Sequence, residues 1–199
     1  MEWTQLFTIA LGAILVNNFI VAQFLGICPF MGVSKKVDTA LGMGMAVIFV
    51  MGVASAVCWP INKYLLVANG LDFMQTVTYI LVIASLVQFV EMFLQKAMPS
   101  LYQALGVYLP LITTNCTILG VTILNIDNGY DFLESIVCAA GAGIGYLVAM
   151  VLFSGVRRRV EEAMPPKCFK DLPITLVAAA MVSLSFMGFG GIVENIFGV

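Results

Sequence analysis

The sequence predicts an all-α integral membrane protein of six transmembrane helices, arranged as two inverted three-helix repeats in which the first helix of each repeat is broken. Of its 199 residues, 61% are hydrophobic and 10% are charged, which is far more apolar than a soluble domain. Charged residues divide the chain into six uncharged runs, which are 3–34, 39–62, 73–90, 97–126, 135–156 and 172–193. Polar, helix-interrupting residues lie inside two of these runs.

The runs have the lengths that membrane-spanning helices need. They contain between 18 and 32 residues, and a helix crosses the hydrocarbon core of a bilayer in about 20. Each half of the chain begins with an overlong run, of 32 residues in the first half and 30 in the second. We therefore expect one repeat over residues 1–98 and a second over 99–199. Because three spans are an odd number, the second repeat would be inverted in the membrane.

The basic residues predict an orientation. Eight of the nine Lys and Arg residues follow the first, third and fifth runs, and only Lys63 lies on the other side. By the positive-inside rule the side with eight basic residues is cytoplasmic, so both termini are expected on the outer side. No basic segment precedes the first run, so we expect it to stay in the membrane rather than be cleaved as a signal peptide. The dispersed basic residues and the net charge of −2 also argue against nucleic-acid binding.

Short polar motifs interrupt the two overlong runs. The first contains Asn17 and Asn18, and the second contains Pro110, Thr113, Thr114 and Asn115. A break in a membrane helix is costly unless the freed main-chain groups find partners, and these amides and hydroxyls can supply them. The pattern is typical of discontinuous half-helices. We therefore expect these residues to support two broken helices.

Two cysteines, Cys28 and Cys116, lie beside these interruptions. The chain has five cysteines and no histidine, so any transition metal would be held mainly by thiolate, as in iron–sulfur, zinc or copper(I) sites. Straight helices would place Cys28 about 10 Å and Cys116 about 25 Å from the cytoplasmic edge, at 1.5 Å per residue. Broken helices would bring both thiols near the midplane. The sequence thus predicts a metal site, with the alternative that both cysteines are small packing residues.

The number of cysteines at this depth predicts half of a site. An iron–sulfur cluster takes four protein ligands, and only Cys28 and Cys116 are placed to serve, so a second chain would have to bring two more. Cys58 and Cys138 fall near the outer ends of their runs, where we expect them to pack helices. Cys168 falls in a cytoplasmic loop, where a reducing compartment would keep it a free thiol.

Glu91 is the candidate for an ion path. It follows the third run, with Gln88 and Gln95 at helical spacing, and a carboxylate near membrane depth is a functional candidate. The alternative is that it extends to the interface. Two rival functions stay open: a secondary ion-transport subunit with incidental cysteines, and a structural membrane scaffold. The lack of a buried acidic cluster in the sequence argues against the first, and the polar breaks argue against the second.

Several segments together resemble the A subunits of the Rnf (Rsx) electron-transport complex, and the resemblance covers essentially the whole chain. They are residues 16–19 (VNNF), 24–36 (FLGICPFMGVSKK), 88–92 (QFVEM), 109–116 (LPLITTNC) and 183–189 (SLSFMGF). The chain is also similar to NqrE, a paralogous component of the sodium-pumping NADH:quinone reductase. That family usually lacks Pro-Phe-Met-Gly after the first cysteine, so the residues at 29–32 favour the Rnf family.

The resemblance implies a six-helix protein that pairs with the homologous RnfE, of opposite topology, and shares a [2Fe–2S] cluster with it. Each partner would supply two cysteine ligands, and the matching positions here are Cys28 and Cys116. The complex would couple electron flow between reduced ferredoxin and NAD⁺ to Na⁺ or H⁺ translocation across the bacterial cytoplasmic (inner) membrane. RnfB, RnfC, RnfD and RnfG are the other implied partners. As one component of a translocase, the chain would have no catalytic activity alone, and it shows no dinucleotide-binding glycine fingerprint.

Overall fold

The computed structural model describes residues 3–16, 18–34, 37–97, 109–163, 166 and 172–197. These residues form helices joined by turns, and no β-strand occurs among them. The helices are α1 Trp3–Leu11, α2 Ile27–Val33, α3 Val37–Ile61, α4 Gln75–Ala97, α5 Leu109–Thr113, α6 Cys116–Asp127, α7 Phe132–Glu162 and α8 Leu172–Phe197. The all-helical part of the prediction is confirmed.

Among the described residues, three helical stretches are long and apolar enough to cross a membrane, namely Val37–Asn69, Gln75–Met92 and Phe132–Val160. The first is α3 extended by a π-helical turn, Asn62–Leu66, and a final turn, Val67–Asn69. These stretches match the second, third and fifth predicted spans. In the sixth run, Leu172–Gly188 is a shorter apolar helix. The chain is therefore a multi-pass membrane protein, while its six-helix inverted-repeat arrangement stays a prediction.

Shorter helices occupy the two overlong runs. In the first run, α1 passes into a π-helical turn, Gly12–Val16, and residues 18–26 are not helical before α2 begins at Ile27. In the fourth run, α5 ends at Thr113 and α6 begins at Cys116. Pro110 lies in α5, and the residues before Leu109 lie outside the described ones, so the predicted interruption at Pro110 stays a prediction.

The centre of the molecule is the contact between α3 and α7. A Cβ atom at Gly44 of α3 would overlap the Leu147 side chain of α7, and one at Gly143 would lie 2.9 Å from Ile48 Cγ1. Large side chains from both helices fill the remaining space, including the fully buried Met43, Met51, Met150 and Phe153. Small residues let membrane helices approach closely, and these two glycines do so here.

The same helix, α7, supports the start of the first broken run. A Cβ atom at Gly141 would lie 3.0 Å from the main-chain oxygen of Ala10, and one at Gly145 would lie 3.0 Å from that of Ile14. The backbone of α1 and its π-helical turn therefore crosses α7 in direct contact. Any larger side chain at either glycine would push the first run away from the core.

Candidate metal centre

The two breaks meet at Gly26, the residue that precedes α2. Gly26 has a left-handed backbone, with φ +80°, which glycine adopts without steric cost. A Cβ atom there would overlap the Thr117 hydroxyl and lie 3.0 Å from Asn115 Oδ1 and 3.2 Å from the Tyr146 ring. The first break is therefore in direct contact with the start of α6. No side chain larger than hydrogen fits between them.

The structure brings the two predicted cysteines to the beginnings of neighbouring helices. Cys28 is the second residue of α2, and Cys116 is the first residue of α6. Both are exposed, and the Cys116 thiol lies 3.9 Å from the main-chain oxygen of Thr114. Further along α2, a Cβ atom at Gly32 would lie 3.7 Å from Leu111 of α5. The two cysteine-bearing segments thus run beside each other, with their thiols accessible from outside the chain.

Asn18 supports the first break. Its side-chain amide donates to the main-chain oxygen of Gly145 at 2.8 Å, and its Oδ1 accepts from the Ile20 amide at 3.2 Å. Only 2% of Asn18 is exposed. It therefore satisfies main-chain groups on both sides of the contact, which is what a helix break in lipid requires. The neighbouring Asn17 lies outside the described residues.

Asn115 supports the second break in the same way. It is the residue before α6, and its Oδ1 accepts from the Thr117 amide at 3.0 Å, as an N-cap side chain does. Thr114 donates through its hydroxyl to the main-chain oxygen of Pro110 at 3.0 Å. Thr113 is the last residue of α5. These contacts end α5 and begin α6 within two residues.

Two contacts from α7 hold the far end of the Cys28 helix. The ring of Phe30 stacks on that of Phe153, with centroids 4.1 Å apart. Four residues later, Arg157 donates to the main-chain oxygen of Met31 and to the Ser34 hydroxyl, the latter at 2.9 Å. Sequence reasoning counted Arg157 as a loop charge and missed this role. No local pattern in the sequence signals this role, because both partners lie more than 120 positions earlier in the chain.

Three buried polar atoms near the cysteines have no hydrogen-bond partner among the described residues. They are Asn115 Nδ2, Thr117 Oγ1 and the Tyr146 hydroxyl oxygen. The Tyr146 hydroxyl faces Asn115, and the Tyr146 ring lies beside Gly26, two residues before Cys28. All three groups can donate a hydrogen bond, and donors favour nearby negative charge. Two accessible thiols backed by unused donors are a donor set that fits a thiolate-ligated metal centre.

The other candidates lie apart from this contact. Cys58 and Cys138 are buried in the core, and Cys168 lies outside the described residues. Glu91 is partly exposed on α4, with Oε2 3.5 Å from Gln88 Nε2. Within the described ranges, no three Cys, Asp or Glu side chains gather closely enough to hold a metal ion.

Comparison with known proteins assigns the family. Residues 6–193 match the family described as "Rnf-Nqr subunit, membrane protein". The chain is 54% identical over 191 residues to the A subunit of the ion-translocating oxidoreductase complex of Syntrophotalea carbinolica, covering 96% of this chain and 99% of the relative. It is 52% identical over 183 residues to the A subunit of the Na(+)-translocating ferredoxin:NAD(+) oxidoreductase complex of Acetobacterium woodii, covering 92% and 95%. A protein of Edwardsiella ictaluri with the same name as the first is 48% identical over 191 residues, covering 96% and 99%. On these matches, the chain belongs to the Rnf-Nqr family of membrane subunits.

Proposed function

We propose that this chain is the A subunit of an Rnf-type ion-translocating ferredoxin:NAD⁺ oxidoreductase and carries electrons within the membrane. Its relatives are named as A subunits of ion-translocating oxidoreductase complexes. The observation that carries the proposal is the placement of Cys28 and Cys116 at the starts of two adjoining helices, both exposed. Exposed thiols at a helix break can be reached by a second protein chain.

Cys28 and Cys116 would be half of the ligands of a [2Fe–2S] cluster. Such a cluster takes four protein ligands, so the homologous RnfE would supply the other two. When bound, the cluster accepts and releases one electron at a time. Asn18, Thr114 and Asn115, together with Asn17 and Thr113, would hold the two broken helices in place beside it. The unused donors of Asn115, Thr117 and Tyr146 would stabilise its negative charge.

A reciprocal contact supports the proposed inverted repeat. Gly44 packs on Leu147, and Gly143 packs on Ile48. Residues 143 and 147 lie 99 positions after 44 and 48. The glycine of each helix therefore contacts the residue four positions after the glycine of the other helix. That exchange is the signature of a two-fold axis. The two breaks match as well, because Asn18 and Asn115 each accept from the amide two residues later.

The remaining partners, the membrane and the coupled ion are proposed from the resemblance to the Rnf family. RnfB, RnfC, RnfD and RnfG would be the further partners, in the bacterial cytoplasmic membrane with both termini of this chain on the outer side. Electron flow would be coupled to Na⁺ or H⁺ translocation, and Glu91 is the candidate for an ion path. Alone, the chain would catalyse no reaction.

The proposal is tested on the purified complex by iron analysis and visible absorption. Cys28→Ala should lower the iron content by the two irons of one cluster and remove the matching absorption. Cys58→Ala is the control, because Cys58 is buried in the core away from the breaks. Unchanged iron content and absorption in Cys28→Ala would overturn the proposal.

A further inference from the structure

Arg157 is a buried positive charge at the end of the Cys28 helix. Only 8% of this residue is exposed, and it lies three residues before the end of the apolar stretch Phe132–Val160 of α7. Its guanidinium donates to the main-chain oxygen of Met31 and, at 2.9 Å, to the Ser34 hydroxyl. The last carbonyls of a helix lack partners within the helix, and a cation there is favoured by the helix dipole.

The Arg157 guanidinium binds the same short helix that carries Cys28. Met31 follows Cys28 by three residues, which is about 4.5 Å along a helix axis. The stacked rings of Phe30 and Phe153 pack α2 against α7. The position of the guanidinium relative to Cys28 is therefore fixed by packing and by two hydrogen bonds.

A buried charge here can act on its surroundings as well as hold the helix end. A cation at a largely buried position is costly, because it has lost most of its contact with water. Ionisable residues inside membrane proteins mark functional paths for this reason. The potential of an iron–sulfur cluster depends on the charge and the hydrogen bonds around it. One-electron reduction adds a negative charge, which a nearby cation stabilises.

We propose that Arg157 is a positioning residue whose charge, held on the Cys28 helix by Met31 and Ser34, raises the reduction potential of the centre at Cys28 and Cys116. This inference rests on the proposed function. The role proposed for Arg157 does not extend to Arg158, the next residue in the chain. Arg158 has a side chain 80% exposed and lies 3.8 Å from Glu162, in an ordinary surface ion pair.

The test is a redox titration of the complex, followed by EPR, in the wild type and three variants. Arg157→Gln removes the charge, Arg157→Lys keeps the charge but loses the planar fork, and Arg158→Gln is the control with an exposed charge removed. At a fixed ambient potential, the ratio of reduced to oxidised cluster should fall about tenfold in Arg157→Gln, a shift of about 59 mV for one electron. Arg157→Lys and Arg158→Gln should stay near the wild type.

Each outcome decides the inference. A wild-type complex without a cluster signal would refute the proposed function itself. A signal at the wild-type potential in Arg157→Gln would leave the proposed function intact and overturn the role of Arg157. If Arg157→Gln loses its iron, the lysine variant decides. Retention of iron and potential by Arg157→Lys supports the role of charge, and loss of iron from both variants overturns it.

Discussion

Asn18 donates a hydrogen bond from its side-chain amide to the main-chain oxygen of Gly145, 2.8 Å away and 127 positions later in the chain. The contact fastens the first break to α7, against which α1 and the Cys28 helix also pack. The position of Cys28 therefore depends on α7 along the length of the broken segment. Asn18 is the polar residue at the middle of that contact.

Asn18→Ala should destabilise the complex and lower its iron content. The substitution leaves the buried Ile20 amide without its acceptor, and an unsatisfied buried group costs about 1–3 kcal/mol. Thermal unfolding in detergent, with iron analysis, measures both effects. Asn69→Ala is the control, because Asn69 makes a similar bond to Leu65 at an exposed position. Equal losses in the two variants would contradict the assigned role of Asn18.

Gly26→Ala should disrupt the contact between the two breaks. Gly26 and Gly70 both have left-handed backbones, which cost an alanine about 1–2 kcal/mol. Only at Gly26 would the new Cβ atom also overlap Thr117, since nothing lies within 4 Å of the corresponding atom at Gly70. Gly26→Ala should therefore lose more stability than Gly70→Ala, measured by thermal unfolding, and should lose iron.

The overlap can be tested by rescue. Replacing Thr117 with alanine removes the hydroxyl that the new Cβ atom would meet, so the double variant Gly26→Ala/Thr117→Ala should regain stability over Gly26→Ala. A double variant that is as unstable as the sum of the two single variants would mean that the overlap is not the cause.

The reciprocal contact between α3 and α7 predicts two matched rescues. Gly44→Ala should be rescued by Leu147→Ala, and Gly143→Ala by Ile48→Ala, with coupling free energies of about 0.5–3 kcal/mol for contacting pairs. The rescue of Gly143→Ala should be the less complete of the two, because the new Cβ atom would also lie 3.1 Å from Ile48 Cα, which the substitution leaves in place. Gly52→Ala, on α3 with open space around it, is the control and should be neutral or stabilising. Additive effects in either pair would argue against the axis.

Tyr146→Phe should keep the iron but change the EPR spectrum of the reduced cluster. The hydroxyl is buried and without a partner among the described residues, so its removal should not destabilise the chain. Tyr79→Phe is a matched control, because the Tyr79 hydroxyl is likewise buried and unpartnered but lies near Cys58 rather than Cys28. The same spectrum in Tyr146→Phe and Tyr79→Phe would show that the Tyr146 hydroxyl does not act on the centre.

The sequence predicted the parts of this protein that depend on local pattern. Charge spacing and hydropathy indicated the apolar helices, and polar residues indicated where the first and fourth runs are not continuous.

The parts that were missed depend on contacts between distant segments. Nothing near Arg157 in the sequence shows that it meets Met31 and Ser34 rather than water. The role of Gly26 is equally hidden, because its need for a bare backbone arises from Thr117, 91 positions later. The roles of both residues can be recognised only from the packing of α7 and α6 against the first break.

The most direct test of the shared cluster is the EPR spectrum of the reduced complex with Cys116→Ser. Serine can offer an oxygen in place of the thiolate, so an iron bound at residue 116 would change its ligand and its magnetic environment. We predict shifted g values or loss of this cluster's signal in Cys116→Ser, and the wild-type spectrum in Cys138→Ser, whose side chain is buried in the core. A wild-type spectrum and iron content in Cys116→Ser would contradict the assignment of Cys116 as a ligand.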